Sequence, residues 1–488
     1  MIYTPSVDSG SRSLVTDLYQ LTMAAAAWKS GFAEREAVFH WSFRQAPFGG
    51  GFSVAAGLQP ALEHIRDFRF APDDLAYLAT LTGAEDAPLF EPAFLAWLGK
   101  LEPVVDVDAV PEGTVVFAHE PLLRIQGPIV PCMLFETPLL TLLNFQTLIA
   151  TKSARICLSA RGEPVLEFGL RRAQGLDGAL SASRAAYIGG AAATSNALAG
   201  KLFDIPVRGT HAHSWVMAFD DEPTAFEAYA RAMPHNVVLL VDTYDTLRGV
   251  RNAIDAGKRL RASGHDLIGI RLDSGDLAWL SIEARKLLDA AGFTRTQILG
   301  TNELDERLID SLKAQGAKID VWGVGTRLVT GHDEPALGGI YKLSAVRERG
   351  RPWQRRIKVS EYTAKTSIPG ILQVRRYRVA DELRGDLIYD VEDNVRSTTM
   401  IDPTDPLRRK QLPAEAVSED LLVPVLRGGR IVHAFPHLRQ IRERTQAQIA
   451  LLHPSIRRFV NPHVYPVGLE QALHERRTRM VIEAREAR

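Results

Sequence analysis

The chain is poor in cysteine. Of its 488 residues two are Cys, Cys132 and Cys157, too few for a disulfide framework and without CxxC spacing. A reducing, cytoplasmic setting is the expectation that follows. An excess of one charge is missing as well: 58 Lys+Arg balance 58 Asp+Glu. Bulk binding to nucleic acid or to an anionic membrane draws on a basic surplus, so neither partner is expected. Local anion sites are not excluded. Apolar runs of ~18 or more residues are absent. The most apolar stretch, 129–150, is interrupted by Glu136, Asn144 and Gln146 and reads as a buried helix or a strand plus helix. The N-terminus, MIYTPSVDSGSR, is polar and has no apolar core of a signal peptide.

Several motifs are missing too. Gly200-Lys201 and Gly257-Lys258 are followed by Leu and Arg, so there is no P-loop to hold ATP. GxGxxG, HExxH and GxSxG do not occur. Thirteen His and two Cys give no zinc-finger spacing. Hydrolase chemistry on a nucleophilic Ser or Cys therefore has no local support.

What remains is an ordinary globular composition, 46% hydrophobic and 24% charged, in a chain long enough for about two to four domains. Asp17–Ala27 has helical spacing, 37–43 (AVFHWSF) alternates like a strand, and Phe48-Gly-Gly-Gly-Phe52 reads as a turn. Pro72–Leu101 reads as helical. The middle of the chain then changes rhythm. Short β-rich runs at 165–169, 207–211, 237–242, 267–272, 297–301 and 319–323 alternate with helical segments at 183–202, 223–232, 246–263, 277–290 and 305–315. Such alternation predicts parallel βα units, either an open sheet or a closed barrel.

The strand ends favour the barrel. Each run passes directly into polar or glycine-rich residues: Glu167-Phe168-Gly169-Leu170-Arg171-Arg172, Gly209-Thr210-His211-Ala212-His213, Asp242-Thr243-Tyr244-Asp245, Arg271-Leu272-Asp273-Ser274-Gly275-Asp276, Thr301-Asn302-Glu303 and Gly323-Val324-Gly325-Thr326-Arg327. In a βα barrel these ends converge on one face, where chemistry is done. Arg171, Arg172, Arg271 and Arg327 suit phosphate or carboxylate. The Gly323–Thr326 turn lets backbone N–H groups approach an anion. Asp242, Asp245, Asp273 and Asp276 suit Mg²⁺ or a ribose diol. Each group also has a plain structural reading: arginines as ion-pair partners, aspartates as helix caps, glycines as tight turns, His213 as a core histidine. Six polar strand ends in succession weigh toward the functional one.

After Gly339 the pattern turns β-rich at 339–346, 355–361, 372–377 and 386–391, and from Leu438 it is helical and Arg-rich. The expected organisation is 1–110 as part of a flanking α+β domain, 111–340 as a βα barrel, 341–435 as a β-rich return, and 436–488 as a helical extension. The fold class is α/β, an irregular βα barrel with a discontinuous flanking domain.

At these residues the sequence resembles the nicotinate phosphoribosyltransferases, of the type II phosphoribosyltransferase fold. Matching strings run from Thr16-Asp17-Leu18-Tyr19-Gln20-Leu21-Thr22-Met23 through Glu136-Thr137-Pro138 and the strand-end segments to Gly325-Thr326. The resemblance implies nicotinate and phosphoribosyl pyrophosphate as substrates, ATP as co-substrate, Mg²⁺ as cofactor, and a cytoplasmic homodimer with its active site at the subunit interface. It implies that His213 is phosphorylated by ATP, that Tyr19 of the second subunit stacks on the nicotinate ring opposite Phe168, and that Thr210 and Arg271 contact nicotinate. Arg171, Gly323, Gly325 and Thr326 would hold the phosphoribosyl group, with Asp273 beside its diol and the metal; His213, Asp273 and Arg271 would be the catalytic set. Some members carry a C-terminal cysteine-rich zinc module. Both cysteines here precede residue 160, so no zinc is expected. Nicotinamide phosphoribosyltransferase shares the fold. His211 stands two residues before His213, where a protonated ring would favour a carboxylate over an amide. Quinolinate phosphoribosyltransferases are shorter and lack the histidine. A non-catalytic nucleotide-sensing barrel would have lost rim residues that are present here.

Overall fold

A computed structural model of the chain describes residues 12–361, 365–393, 395 and 397–486. They form two compact units.

One unit draws on Met1–Thr147, Ala336–His437 and Ala447–Arg488. The alternating run Glu36–Phe43 is an inner strand of a seven-stranded antiparallel sheet, paired on one side with Leu123–Pro128 and on the other with Gly339–Arg347. A strand from the end of the chain's middle is thus bonded directly to its beginning. A second sheet of six strands is built around Leu372–Val379 and Glu382–Asp390. Arg376 is buried there and donates to Asp386 at 2.6 Å, while Tyr465 donates to the same carboxylate at 2.9 Å. Burial, with Asp386 beside it, pushes the Glu120 carboxyl well above its ordinary value. The expected single helix over 72–101 is two, Pro72–Leu78 and Pro92–Leu98. Between them Gly83 N–H bonds to the Ala87 carbonyl and Leu89 N–H to the Leu81 carbonyl, and Pro92 starts the second helix at its first turn, where proline is tolerated. Residues 111–147 also belong to this unit.

The other unit is Leu148–Pro335 with Leu438–Gln446. Its parallel sheet has the order 193–194, 165–167, 321–324, 297–300, 269–272, 238–240. The sheet is curled: Leu166, Ala193, Val238, Leu299 and Val321 form one apolar cluster that draws on both edge strands. Segment 206–208 extends the first edge, with Thr194 N–H bonded to the Pro206 carbonyl and Arg208 N–H to the Thr194 carbonyl, both at 3.0 Å. The other edge meets this segment through a side chain, since Leu240 N–H donates to His211 Nε2 at 3.2 Å. The barrel is irregular because its seam is closed by an imidazole instead of a ladder.

The strand Ala193–Thr194 corrects the sequence reading, which runs one helix over 183–202. The helix Gly175–Gly189 ends at Gly190, whose φ of +123° suits glycine, and a new helix starts only at Ala197. The helices 246–262, 277–290 and 306–314 begin on Asp245, Asp276 and Asp305, each accepting backbone N–H bonds of its own first turn. The C-terminal segment is not wholly helical: Leu438–Ala450 and Gln471–Glu486 are helices, and Val467–Glu470 between them is a strand of the second sheet. Arg442 donates to the carbonyls of Gly190 and Ala191, covering the end of helix 175–189. Among the described residues no helix is long and apolar enough to cross a membrane.

Candidate active site

The strand ends of the barrel surround a cavity of about 470 Å³. Phe168, Arg171, Thr210, Arg271, Asp273, Gly323, Gly325 and Thr326 all line it, as do Ser195, Asn302 and Glu303. Arg172 and His211 line it as well, so the structure brings these sequence candidates into one concavity. Ser195 was hidden because the helix assigned across 183–202 ran through it.

Arg271 leaves the strand Gly269–Leu272 and its Nη1 donates to Thr210 Oγ1 and, at 3.3 Å, to the His211 carbonyl. Its Nε is buried and has no hydrogen-bond partner among the described residues. Burial lowers the guanidinium from its ordinary value, and Asp273 and Asp242 oppose that shift. The result is a desolvated cation with a spare donor, the chemistry of a carboxylate receptor.

Asp273 is fixed from two sides. Its backbone N–H donates to Asp242 Oδ2 at 2.9 Å, and Thr301 Oγ1 donates to its Oδ1. Asp242 also accepts from Ser274 Oγ at 2.6 Å. Its other oxygen, Oδ1, is buried without a hydrogen-bond partner among the described residues and lies 4.0 Å from His213 Nε2. Asp273 Oδ2 lies 3.7 Å from the same nitrogen. His213 Nδ1 meets Thr243 Oγ1 at 3.1 Å. The imidazole is therefore held by a hydroxyl on one side and faces two carboxylates on the other. Thr243, part of a strand-end string, is a contact that nothing in the linear sequence singles out.

Gly323 is required by packing. A Cβ there would stand 2.5 Å from Thr301 Cγ2 and 2.9 Å from the Phe168 ring. Phe168 follows the strand Val165–Glu167, and Arg171 lies on the 3₁₀ turn Leu170–Arg172 beyond it. Glu167 is buried beneath them and accepts from Ser183 Oγ at 2.8 Å and Thr194 Oγ1 at 2.6 Å.

Three expectations change. Arg327 does not line the cavity; it is paired with Asp305. Asp245 and Asp276 cap helices. His211 carries no charge at neutral pH: burial brings it down to about 4, and Nε2 accepts from Leu240 while Nδ1 faces the Ala212 carbonyl. It cannot select a carboxylate by its charge. Tyr19 lies in the other unit, on the helix Leu18–Lys29, with its side chain about half exposed. No group of three or more His, Cys, Asp or Glu that could hold a metal forms among the described residues.

A parallel barrel whose rim joins forked cations, a glycine turn, paired carboxylates and a histidine has the make-up of a βα-barrel enzyme. Comparison with known proteins narrows this. The family models of the nicotinate phosphoribosyltransferase N-terminal and C-terminal domains match residues 14–144 and 373–477. The chain is 42% identical to a Bacillus subtilis protein named nicotinate phosphoribosyltransferase, over 98% of each chain. It is 34% identical to the human protein of that name, over 96% of each. The crystal structure of human nicotinic acid phosphoribosyltransferase superposes with a TM-score of 0.82 at 33% identity, covering 95% of this chain and 99% of that one. A Pyrococcus furiosus structure titled nicotinate-nucleotide pyrophosphorylase, at 22% identity and a TM-score of 0.70, shares the fold. The chain belongs to the nicotinate phosphoribosyltransferase family.

Proposed function

We propose that this chain joins nicotinate to phosphoribosyl pyrophosphate, giving nicotinate mononucleotide and pyrophosphate in the synthesis of NAD, with ATP hydrolysis coupled through a phosphohistidine at His213. The observation that carries the reading is the buried Nε of Arg271, without a hydrogen-bond partner among the described residues, in one cavity with Asp273, against which His213 is set.

In this reading Arg271 and Thr210 take the nicotinate carboxylate and Phe168 one face of its ring. Tyr19 of a second copy takes the other face, which makes the enzyme a homodimer. Arg171, Gly323, Gly325 and Thr326 hold the phosphoribosyl group. The pyridine nitrogen bonds to the ribose carbon as the bond from that carbon to the pyrophosphate oxygen breaks, the electron pair leaving with pyrophosphate. Positive charge gathers on the sugar and negative charge on the leaving group, which fixed donors stabilise without a covalent sugar–enzyme intermediate.

The residues fit a magnesium ion. Asp242 Oδ1, without a hydrogen-bond partner among the described residues, and the Asp273 carboxylate offer two oxygen donors, and Mg²⁺ is commonly held by one or two carboxylates plus substrate phosphates. When bound it neutralises charge on the departing pyrophosphate. The imidazole of His213 attacks the γ-phosphorus of ATP and ADP leaves. The phosphoryl group adds negative charge beside the cavity, tightens substrate binding, and is lost by hydrolysis as product is released.

His213→Ala tests the coupling. Mononucleotide formation should persist slowly and lose its stimulation by ATP. ATP stimulation equal to that of the unmodified chain would contradict the role of His213.

A further inference from the structure

Two side-chain links tie the end of strand Gln297–Gly300 to the end of its neighbour Val321–Val324. Thr326 Oγ1 donates to Glu303 Oε1 at 2.8 Å, and Arg327 Nη1 donates to Asp305 Oδ2. The Asp305 side chain is 4% exposed and its oxygens are divided. Oδ2 takes Arg327, while Oδ1 accepts from Arg307 N–H at 3.1 Å and Leu308 N–H at 2.8 Å, the first turn of helix 306–314. The next residue, Glu306, is buried and paired with Lys152 Nζ at 2.8 Å and Arg155 Nε at 2.9 Å. The footing of the Asp305 link is therefore fixed to the helix Glu136–Ser159.

Between Thr301 and Glu303, Asn302 has a φ of +106° on the cavity wall. A non-glycine residue keeps such a conformation only where its surroundings impose it. Here Thr301 is held against Asp273 on one side and the two links hold the other.

We propose that Asp305 and Arg327 are positioning residues: their ion pair, with the Glu303–Thr326 bond, braces the Gly323–Thr326 turn in the shape that receives the phosphoribosyl group. This rests on the reading of the cavity given above. Arg327 touches no substrate in this account. It sets the turn, while the nicotinate end is set independently by Arg271 and Thr210.

The test is steady-state kinetics of the full chain for both substrates. Asp305→Asn keeps a side-chain oxygen for the helix cap and removes the charge. In Asp305→Asn and Arg327→Gln the KM for phosphoribosyl pyrophosphate should rise roughly tenfold or more, with the KM for nicotinate within about twofold. Arg327→Lys should recover part of the loss, because it restores the charge but not the fork. An unchanged KM for phosphoribosyl pyrophosphate, or an equal rise for both substrates, overturns the brace. If Asp305→Asn and Arg327→Gln do not fold, the exposed Glu303→Ala decides by the same split. An inactive unmodified chain would overturn the reading of the cavity instead.

Discussion

Asp242 and Asp245 lie three residues apart after one strand and have different tasks. Asp245 accepts from Arg248 N–H at 2.8 Å and starts a helix; Asp242 is buried with one oxygen uncommitted toward His213. Asp273 and Asp276 divide in the same way, Asp276 accepting from Trp279 N–H at 3.0 Å. Asp273 lines the cavity and Asp242 accepts from its backbone N–H, while the later residue of each pair caps a helix. The sequence shows the carboxylates but not this division, which depends on which side chain reaches the N–H three residues on. The arginines divide likewise: Arg327 is consumed by Asp305, whereas Arg271 keeps a buried donor with no hydrogen-bond partner among the described residues. Arg271→Ala should therefore raise the KM for nicotinate about 10- to 100-fold, the worth of a charge-assisted hydrogen bond. Kinetics at saturating phosphoribosyl pyrophosphate measure this, and an unchanged KM would remove Arg271 from nicotinate binding.

At the scale of elements, helices starting on strong caps were legible: 277–290 is read to the residue. The short edge strand Ala193–Thr194 was not, because two residues cannot display a period and the surrounding alanines suit a helix. Gly189-Gly190 was the available signal. The seam of the barrel was beyond sequence reading altogether, since a bond from a backbone N–H to an imidazole leaves no pattern. That bond makes a prediction about pH. The folded value of His211, about 4, lies below its ordinary 6.5. The neutral ring's contribution to stability is present above pH 6.5 and is lost as pH falls from 6.5 toward 4. Protonated, Nε2 can no longer accept from Leu240. Hydrogen-exchange protection of the Leu240 amide should fall over that window relative to Ile270, an amide of the adjacent strand. Equal protection of both amides across it would contradict closure of the seam by His211.

At the scale of the whole molecule, the parallel alternation pointed to a barrel without revealing which distant segments share a sheet. The pairing of Glu36–Phe43 with Gly339–Arg347, and the burial of Arg376 between Asp386 and Glu120, join residues far apart in the chain. Such long-range partners are chosen by packing and carry no local trace. The balance of 58 basic and 58 acidic residues takes on a different meaning once folded. In the proposed function, anion recognition needs no surplus of charge, only a desolvated Arg271 and a few donors on one rim. The most direct test of that account is product formation by the full chain with phosphoribosyl pyrophosphate, Mg²⁺ and labelled nicotinate or labelled nicotinamide, with and without ATP. The account predicts nicotinate mononucleotide and pyrophosphate, formed faster with ATP, and little product from nicotinamide. Preferential use of nicotinamide, or no mononucleotide from either ring, would contradict it.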